Sequence, residues 1–90
     1  MNFTIESNRI YKQDGQGKLL AEVLFPENAG GMVTVTHTFV DESLRGQGIA
    51  DELMKALVSE VILNNKKISP VCSYAVKWFS KHPEHSDLLV

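Results

Sequence analysis

The chain is predicted to fold as an α+β unit with α/β-like connectivity: a mixed, mainly antiparallel sheet, one parallel strand-helix-strand unit and two helices. Three observations predict it. Met32 to Val40 alternates apolar and polar residues and runs into a twin-glycine stretch and a long segment of helical periodicity, so a strand leads through a tight loop into a helix. Lys67 to Cys72 is a short, bounded apolar run after that helix, which makes the two strands parallel neighbours joined by a right-handed crossover. Upstream, Phe3 to Gln13 and Lys18 to Pro26 flank Asp14-Gly15-Gln16-Gly17, residues that supply the positive φ a short hairpin turn needs.

Taken in order, the stretch Asp14 to Gly17 is followed by no helix, only Leu19 to Phe25 of β-type composition, so Gly15-Gln16-Gly17 is a turn and not a phosphate loop. Pro26 to Gly31 is a second turn region. From Met32 to Val40, alternation puts Val33, Val35, His37 and Phe39 on one face and Thr34, Thr36, Thr38 and Val40 on the other. His37 therefore reads either as a mostly buried imidazole held by a neighbouring strand or as a general base near the reaction centre. The helix from about Gly48 to Asn64 is apolar along Ile49, Leu53, Leu57 and Val61 and again along Ala50, Met54, Val58 and Ile62. So wide a surface calls for partners on two sides, the sheet and either another helix or a second subunit. Asp51, Glu52, Lys55 and Ser59 form a narrow polar stripe expected to face solvent, and Asn64-Asn65 ends the helix.

Pro70 cannot donate a ladder hydrogen bond, which places it on an edge or where two strands part. Parallel pairing brings Val40 and Cys72 out on the same rim of the sheet, the rim where open α/β sheets bind ligands. Cys72 to Lys81 reads as a second helix, capped by Cys72 or Ser73 and stopped by His82-Pro83. In the tail, Pro83 lies between His82 and His85 and spoils the geometry that would aim both at one metal, so no metal site is expected. Leu88-Leu89-Val90 should pack back on the domain.

Ninety residues make one domain, residues 1–90, since so short a chain cannot divide its core. With 43% hydrophobic and 22% charged residues, the composition fits neither disorder nor a membrane span. The opening residues lack the basic start and apolar core of a signal peptide, and a single cysteine rules out an internal disulfide; a cytoplasmic location is the expectation. A net charge of −2 argues against a nucleic-acid partner. Cofactor-sized anions remain open, because Arg45, Lys66, Lys67, Lys77 and Lys81 all fall in the second half.

Arg45-Gly46-Gln47-Gly48-Ile49-Ala50 is the stretch that points to a ligand. Two glycines at a helix start let the chain bend sharply and let a ligand meet the peptide planes without a Cβ in the way. The first amides of the helix lack partners and carry the positive end of its dipole, so the loop can seat a phosphate or diphosphate, with Arg45 adding a full charge. A Walker loop is excluded because no Gly-Lys-Ser/Thr follows, and the third glycine of the dinucleotide fingerprint is missing. The plain alternative is a glycine-rich helix start that binds nothing.

Val40 to Ala50 resembles the cofactor signature of the GNAT-type acetyltransferases, Gln/Arg-x-x-Gly-x-Gly/Ala after a strand ending in Val. Arg45, Gly48 and Ala50 hold the three defining places and Val40 lies five residues ahead of the arginine. The resemblance, which covers roughly residues 20 to 81, implies a minimal-length member with a GNAT-like fold and acetyl-CoA as acyl donor. It implies amides around Thr38, Phe39 and Val40 on the pantetheine and acetyl oxygen, and amides from Arg45, Gly46, Gln47, Gly48, Ile49 and Ala50 on the diphosphate. The pantetheine arm would enter where the strand ending at Val40 and the strand holding Pro70 part.

Against the family's Asn-x-x-Ala-Ile-x-Leu-Tyr pattern, Ala75, Val76 and Trp78 fit, but Cys72 takes the Asn place and Phe79 the Tyr place. Phenylalanine cannot protonate a departing thiolate; Tyr74 is the candidate substitute. A thiol at a helix N-terminus has a lowered pKa, so Cys72 either accepts the acetyl group in a two-step transfer or acts as a small hydrophobe beside the cofactor sulfur. The resemblance does not extend to the helical pair that usually lies between the first strands of this family, nor to the final strands after the second helix, which implies an open acceptor side. The expected activity is acetyl transfer to an amine acceptor, small molecule or protein, by a monomer or weak homodimer; the competing class is a module that holds coenzyme A without turnover.

Overall fold

The computed structural model describes residues 2–90. The first expected strand is a hairpin: β1 (Thr4–Glu6) and β2 (Arg9–Gln13) pair antiparallel around Ser7 and Asn8. Asn8 sits at φ 66°, a conformation asparagine tolerates better than most residues, and it is anchored through both its carbonyl, which accepts from Phe25 N at 3.0 Å, and its side-chain amide, which donates to Phe25 O at 2.9 Å. The next turn is where the sequence places it. The Asp14 carboxylate accepts from Gln16 N and Lys18 N at 2.8 and 2.9 Å, and β3 (Leu19–Leu24) follows, antiparallel to β2. The region expected as plain turn, 26–31, contains a two-residue strand, β4 (Glu27–Asn28), paired with β5 (Met32–Val35).

Met32 to Val40 is not one strand. It breaks at Thr36 into β5 and β6 (His37–Val40), and the halves belong to different sheets. One sheet has the order β1-β2-β3-β6; the other has β4-β5-β7, where β7 (Lys67–Pro70) runs parallel to β5 in the register Val33↔Ile68 and Val35↔Pro70. At the hand-over the Val35 carbonyl accepts from both Val71 N and Cys72 N, at 3.0 and 2.9 Å, while Thr36 N turns away to Leu24 O at 3.1 Å. Beyond that point β6 pairs only with β3, so β6 and the end of β7 diverge. Pro70 sits on the last rung before the parting, where a missing donor costs the ladder nothing.

The break also resets the alternation. Thr38 and Val40 pair with the fully buried Val23 and Ala21, and share their face. His37 and Phe39 pair with Leu24 and Glu22 on the other face. The expectation that His37 shares the face of Val33 and Val35 is therefore corrected: its side chain is 49% exposed, with Nε2 3.7 Å from the Glu22 carboxylate.

Helix α1 (Ile49–Leu63) buries Ile49, Leu53, Leu57 and Val61 together with Met54 and Val58 in one cluster with Ile10, Ala21 and Val23 of the sheet. Its second apolar row is not covered to the end, since Ile62 is 59% exposed. Asn64 closes the helix as its cap residue, and Asn65 at φ 59° turns the chain toward β7. Helix α2 (Ser73–Ser80), with Cys72 as N-cap, adds Ala75, Trp78 and Phe79 to the core and supplies part of the second covering expected for α1. The tail passes through a 3₁₀ stretch, Pro83–Leu88, and returns to the domain: Leu89 bridges Ile68 in parallel and Val90 N donates to Ile68 O at 3.1 Å. Among the described residues no helix is long and apolar enough to cross a membrane.

Candidate functional site

The loop after β6 is built before it reaches the glycines. Asp41 accepts from Ser43 N at 3.1 Å and from Ser43 Oγ at 2.6 Å, and so starts the 3₁₀ turn Glu42–Leu44. Those two bonds, the hydroxyl's first, hold its carboxyl below the ordinary aspartate value. Arg45 N then closes on Glu42 O at 3.2 Å, and Gly46 and Gly48 follow at φ 81° and 75°. Gly48 is the N-cap of α1 and offers no side-chain acceptor, so the first amides of the helix keep no side-chain cap. A Cβ built on either glycine would have no heavy atom within 4 Å, so the space in front of the peptide planes is open.

That space is a cavity of about 200 Å³ lined by Val40, Leu44, Arg45, Gly46, Gly48, Ile49, Ala50, Asp51 and Tyr74. Seven of these are residues the sequence singles out: Val40, Arg45, Gly46, Gly48, Ile49, Ala50 and Tyr74. Gln47 lies outside the lining, its exposed side chain reaching back toward Ser43 O at 3.5 Å. Thr38, Phe39 and Cys72 are not in the cavity wall either. They belong to the parting of β6 and β7, where Thr38 Oγ1 and Cys72 Sγ stand 3.4 Å apart. As the outer strand of its sheet, β6 also leaves alternate N–H and C=O groups unpaired along that gap.

Tyr74 is half-buried, and its hydroxyl is pushed above the ordinary tyrosine value, by burial first and by the Asp51 carboxylate second. It stays neutral at physiological pH, able to donate a hydrogen bond into the cavity. Phe79, at the place of the family tyrosine, is 4% exposed and packs edge-on against Trp78 with ring centroids 5.0 Å apart. It is a core residue. His82 and His85 stack on the Trp78 ring, at 3.7 and 5.9 Å, and His82 Nδ1 lies 2.7 Å from Trp78 O.

The sequence reading missed Leu44 and Asp51. The sequence puts Asp51 on a solvated stripe, and its side chain is still 39% exposed, but α2 reaches it: its carboxylate accepts from the Trp78 indole N–H at 2.7 Å and pairs with Lys55 at 3.1 Å. Only the tertiary packing of α2 carries this signal. The bond ties the first turn of α1 to α2 and so fixes the distance across the cavity between Ala50 and Tyr74. It also engages a negative charge that would otherwise face the helix start.

A pH dependence follows. The Trp78 indole, and after it Lys55, hold the Asp51 carboxyl below its ordinary value. A carboxyl lowered by folding contributes stability that is fully present above its unfolded pKa, about 4, and is lost as pH falls through the folded value. Asp51→Asn should therefore cost no more than about 1 kcal/mol at pH 7, given the partial exposure of the pair. That cost should shrink below about pH 4, when urea midpoints of the two proteins are compared. A difference of the same size at pH 2.5 and pH 7 would refute the assignment.

Residues 9–88 match the family model described as GCN5-related N-acetyl-transferase. No curated protein matches the sequence. Among solved structures, a GCN5-like protein from Staphylococcus aureus determined by NMR superposes with a TM-score of 0.82 at 29% identity, covering 99% of this chain and 87% of that one. A ribosomal-protein-alanine N-acetyltransferase from Brucella melitensis shares the fold with a TM-score of 0.59 at 24% identity over 81% of this chain and 59% of its own. A predicted acetyltransferase from Clostridium acetobutylicum, solved with acetyl-CoA, gives 0.59 at 20% identity over 82% and 55%. The chain thus spans little more than half of these last two.

Proposed function

The chain belongs to the GCN5-related N-acetyl-transferase family, and from that premise we propose that it holds acetyl-CoA at the Gly46–Ala50 loop and passes the acetyl group to an amine acceptor by way of Cys72. The observation that carries the reading is the open cavity before the uncapped start of α1, beside a parting of strands in which Thr38 and Cys72 meet. The left-handed glycines and the open space in front of them fit a diphosphate, and Arg45 adds a positive charge at the rim. Unpaired backbone groups of Thr38 to Val40 suit the amide-bearing arm of the cofactor and the acetyl oxygen. When bound, the cofactor supplies an acetyl group already activated as a thioester.

In this reading Cys72 Sγ bonds to the acetyl carbon as the carbon's bond to the coenzyme sulfur breaks, and the thiol proton of Cys72 ends on the departing sulfur. An amine then displaces Sγ from the acetyl carbon, and the amine's surplus proton returns a thiol to Cys72. Thioester exchange between two thiols is near balance, so the first step needs no strong acid, and a phenylalanine at position 79 is no obstacle to it. His37 faces away from Thr38, within 3.7 Å of Glu22, and takes no part in this route. Among the described residues no α-helix precedes α1, which leaves the acceptor side open to a bulky acceptor.

One observation favours a second reading, a module that holds the acyl-CoA without turnover: Phe79 is buried where a proton donor would be needed for direct transfer. Two measurements separate the cases. The melting temperature should rise with acetyl-CoA and not with ATP, and coenzyme A should be released beyond one equivalent only when an amine pool is added. A rise without amine-dependent thiol release beyond one equivalent favours the holding module, and no rise removes both.

A further inference from the structure

We propose that Asp41 is a positioning residue of the cofactor seat: its carboxylate folds the loop in advance, so that Leu44 and Arg45 stand at the mouth of the cavity before any ligand arrives. This role rests on the reading of that cavity as the place of the acetyl-CoA diphosphate. Gly46 and Gly48, both at positive φ with nothing within 4 Å of a Cβ, are the residues that lose most freedom when the loop is fixed. Helix α1 holds them from one side. On the other side, a fastening is needed between the end of β6 and Arg45.

Asp41 supplies it, with every polar group engaged. Its N–H donates to Leu20 O at 2.8 Å, carrying the β3–β6 ladder one bond past Val40, and its carbonyl accepts from Leu44 N at 3.0 Å. Oδ2 accepts from Ser43 N at 3.1 Å and from Ser43 Oγ at 2.6 Å, while Oδ1 lies 3.7 Å from Lys18 Nζ, at the end of the β2–β3 turn. The side chain is only 18% exposed. Leu44 packs against the core cluster and lines the cavity together with Arg45, whereas Asp41 lies outside the lining. The carboxylate therefore acts on the seat through the turn it builds, and its charge is directed at Ser43 and Lys18, not into the cavity. A loop ordered before binding removes the entropy of ordering from the binding step.

Calorimetric titration of the full chain with acetyl-CoA tests the role. Asp41→Ala keeps the backbone bonds to Leu20 and Leu44 but loses the acceptor of both Ser43 bonds, and should bind roughly tenfold more weakly. Asp41→Asn keeps a carbonyl oxygen for Ser43 without the charge, and should restore affinity to within about threefold of the wild type. Asn8→Ala, which frees the β1–β2 turn from Phe25, should lower the melting temperature and leave the dissociation constant unchanged, so lost stability alone does not imitate the effect. Without ligand, ¹⁵N order parameters at Gly46 and Gly48 should fall in Asp41→Ala from the rigid range, about 0.85, toward about 0.6, and stay high in Asp41→Asn. Asp41→Ala binding as tightly as the wild type, Asp41→Asn binding as weakly as Asp41→Ala, or equal order parameters in all three would overturn the role. A wild type that does not bind acetyl-CoA would instead remove the diphosphate seat, and the positioning role with it.

Discussion

Gly48→Val should give a folded protein that has lost acetyl-CoA, with affinity down by at least about a hundredfold. Gly48 caps α1 at φ 75°, where an L-residue pays about 1–2 kcal/mol and a β-branched one is a clear outlier. Nothing lies within 4 Å of the position its Cβ would take, so the cost is conformational and not a clash. A loss of that size lowers the melting temperature by about 4–8 °C per kcal/mol in a domain this small, which leaves a measurable native state. Binding suffers more, because the new methyl groups stand in front of the amides that would receive the diphosphate, and the preferred backbone of valine rotates those amides away. Gly15→Ala is the control. Gly15 has neither a positive φ nor a close neighbour, and the change should leave both affinity and melting temperature within error. Calorimetric titration with acetyl-CoA decides the matter; an unchanged dissociation constant in folded Gly48→Val would show that the loop is not the seat.

The elements that could be read from the sequence are those whose cause is local. Asp14 and Gly17 make their hairpin through their own side-chain oxygen and backbone freedom, and the bounds of α1 and α2 follow from Gly48, Asn64 and His82-Pro83. The turn at Ser7 and Asn8 lacks a glycine, and what fixes it is a pair of bonds to Phe25, seventeen residues away. β4 is a strand only because β5 lies beside it. The break at Thr36 is the costliest omission. Threonine recurs at every second place through it, at Thr34, Thr36 and Thr38, and the reason for the break is that β5 and β6 answer to different neighbours, β7 and β3. That slip is why His37 turns out beside Glu22 and not among the apolar residues. The glycine loop was legible because its chemistry resides in the backbone of consecutive residues. Asp51 was not, because periodicity reports the face of a helix and not which second helix will cover it.

Cys72 carries the other large effect expected: after incubation with acetyl-CoA, peptide mass spectrometry should find one acetyl group on Cys72 in the wild type and none in Cys72→Ala. The fold tolerates the change, since Cys72 binds the framework through its backbone, with N donating to Val35 O at 2.9 Å and its carbonyl accepting from Val76 N at 3.0 Å. Its side chain makes no cap hydrogen bond to α2, so alanine removes the sulfur and little else. Thr38→Val sharpens the test. Valine keeps the shape of threonine but deletes the Oγ1 that stands 3.4 Å from Sγ. If that contact aims the sulfur into the gap, the adduct should still form, roughly three- to tenfold more slowly, the worth of one hydrogen bond. If the thiol only fills space, Thr38→Val should change nothing and Cys72→Ala should release coenzyme A thiol to an amine as fast as the wild type. That pair of results would sink the covalent route while leaving the cofactor seat intact, because none of the atoms altered belongs to the loop before α1. Loss of both the adduct and thiol release in Cys72→Ala, with acetyl-CoA still bound, would in contrast tie turnover to this sulfur.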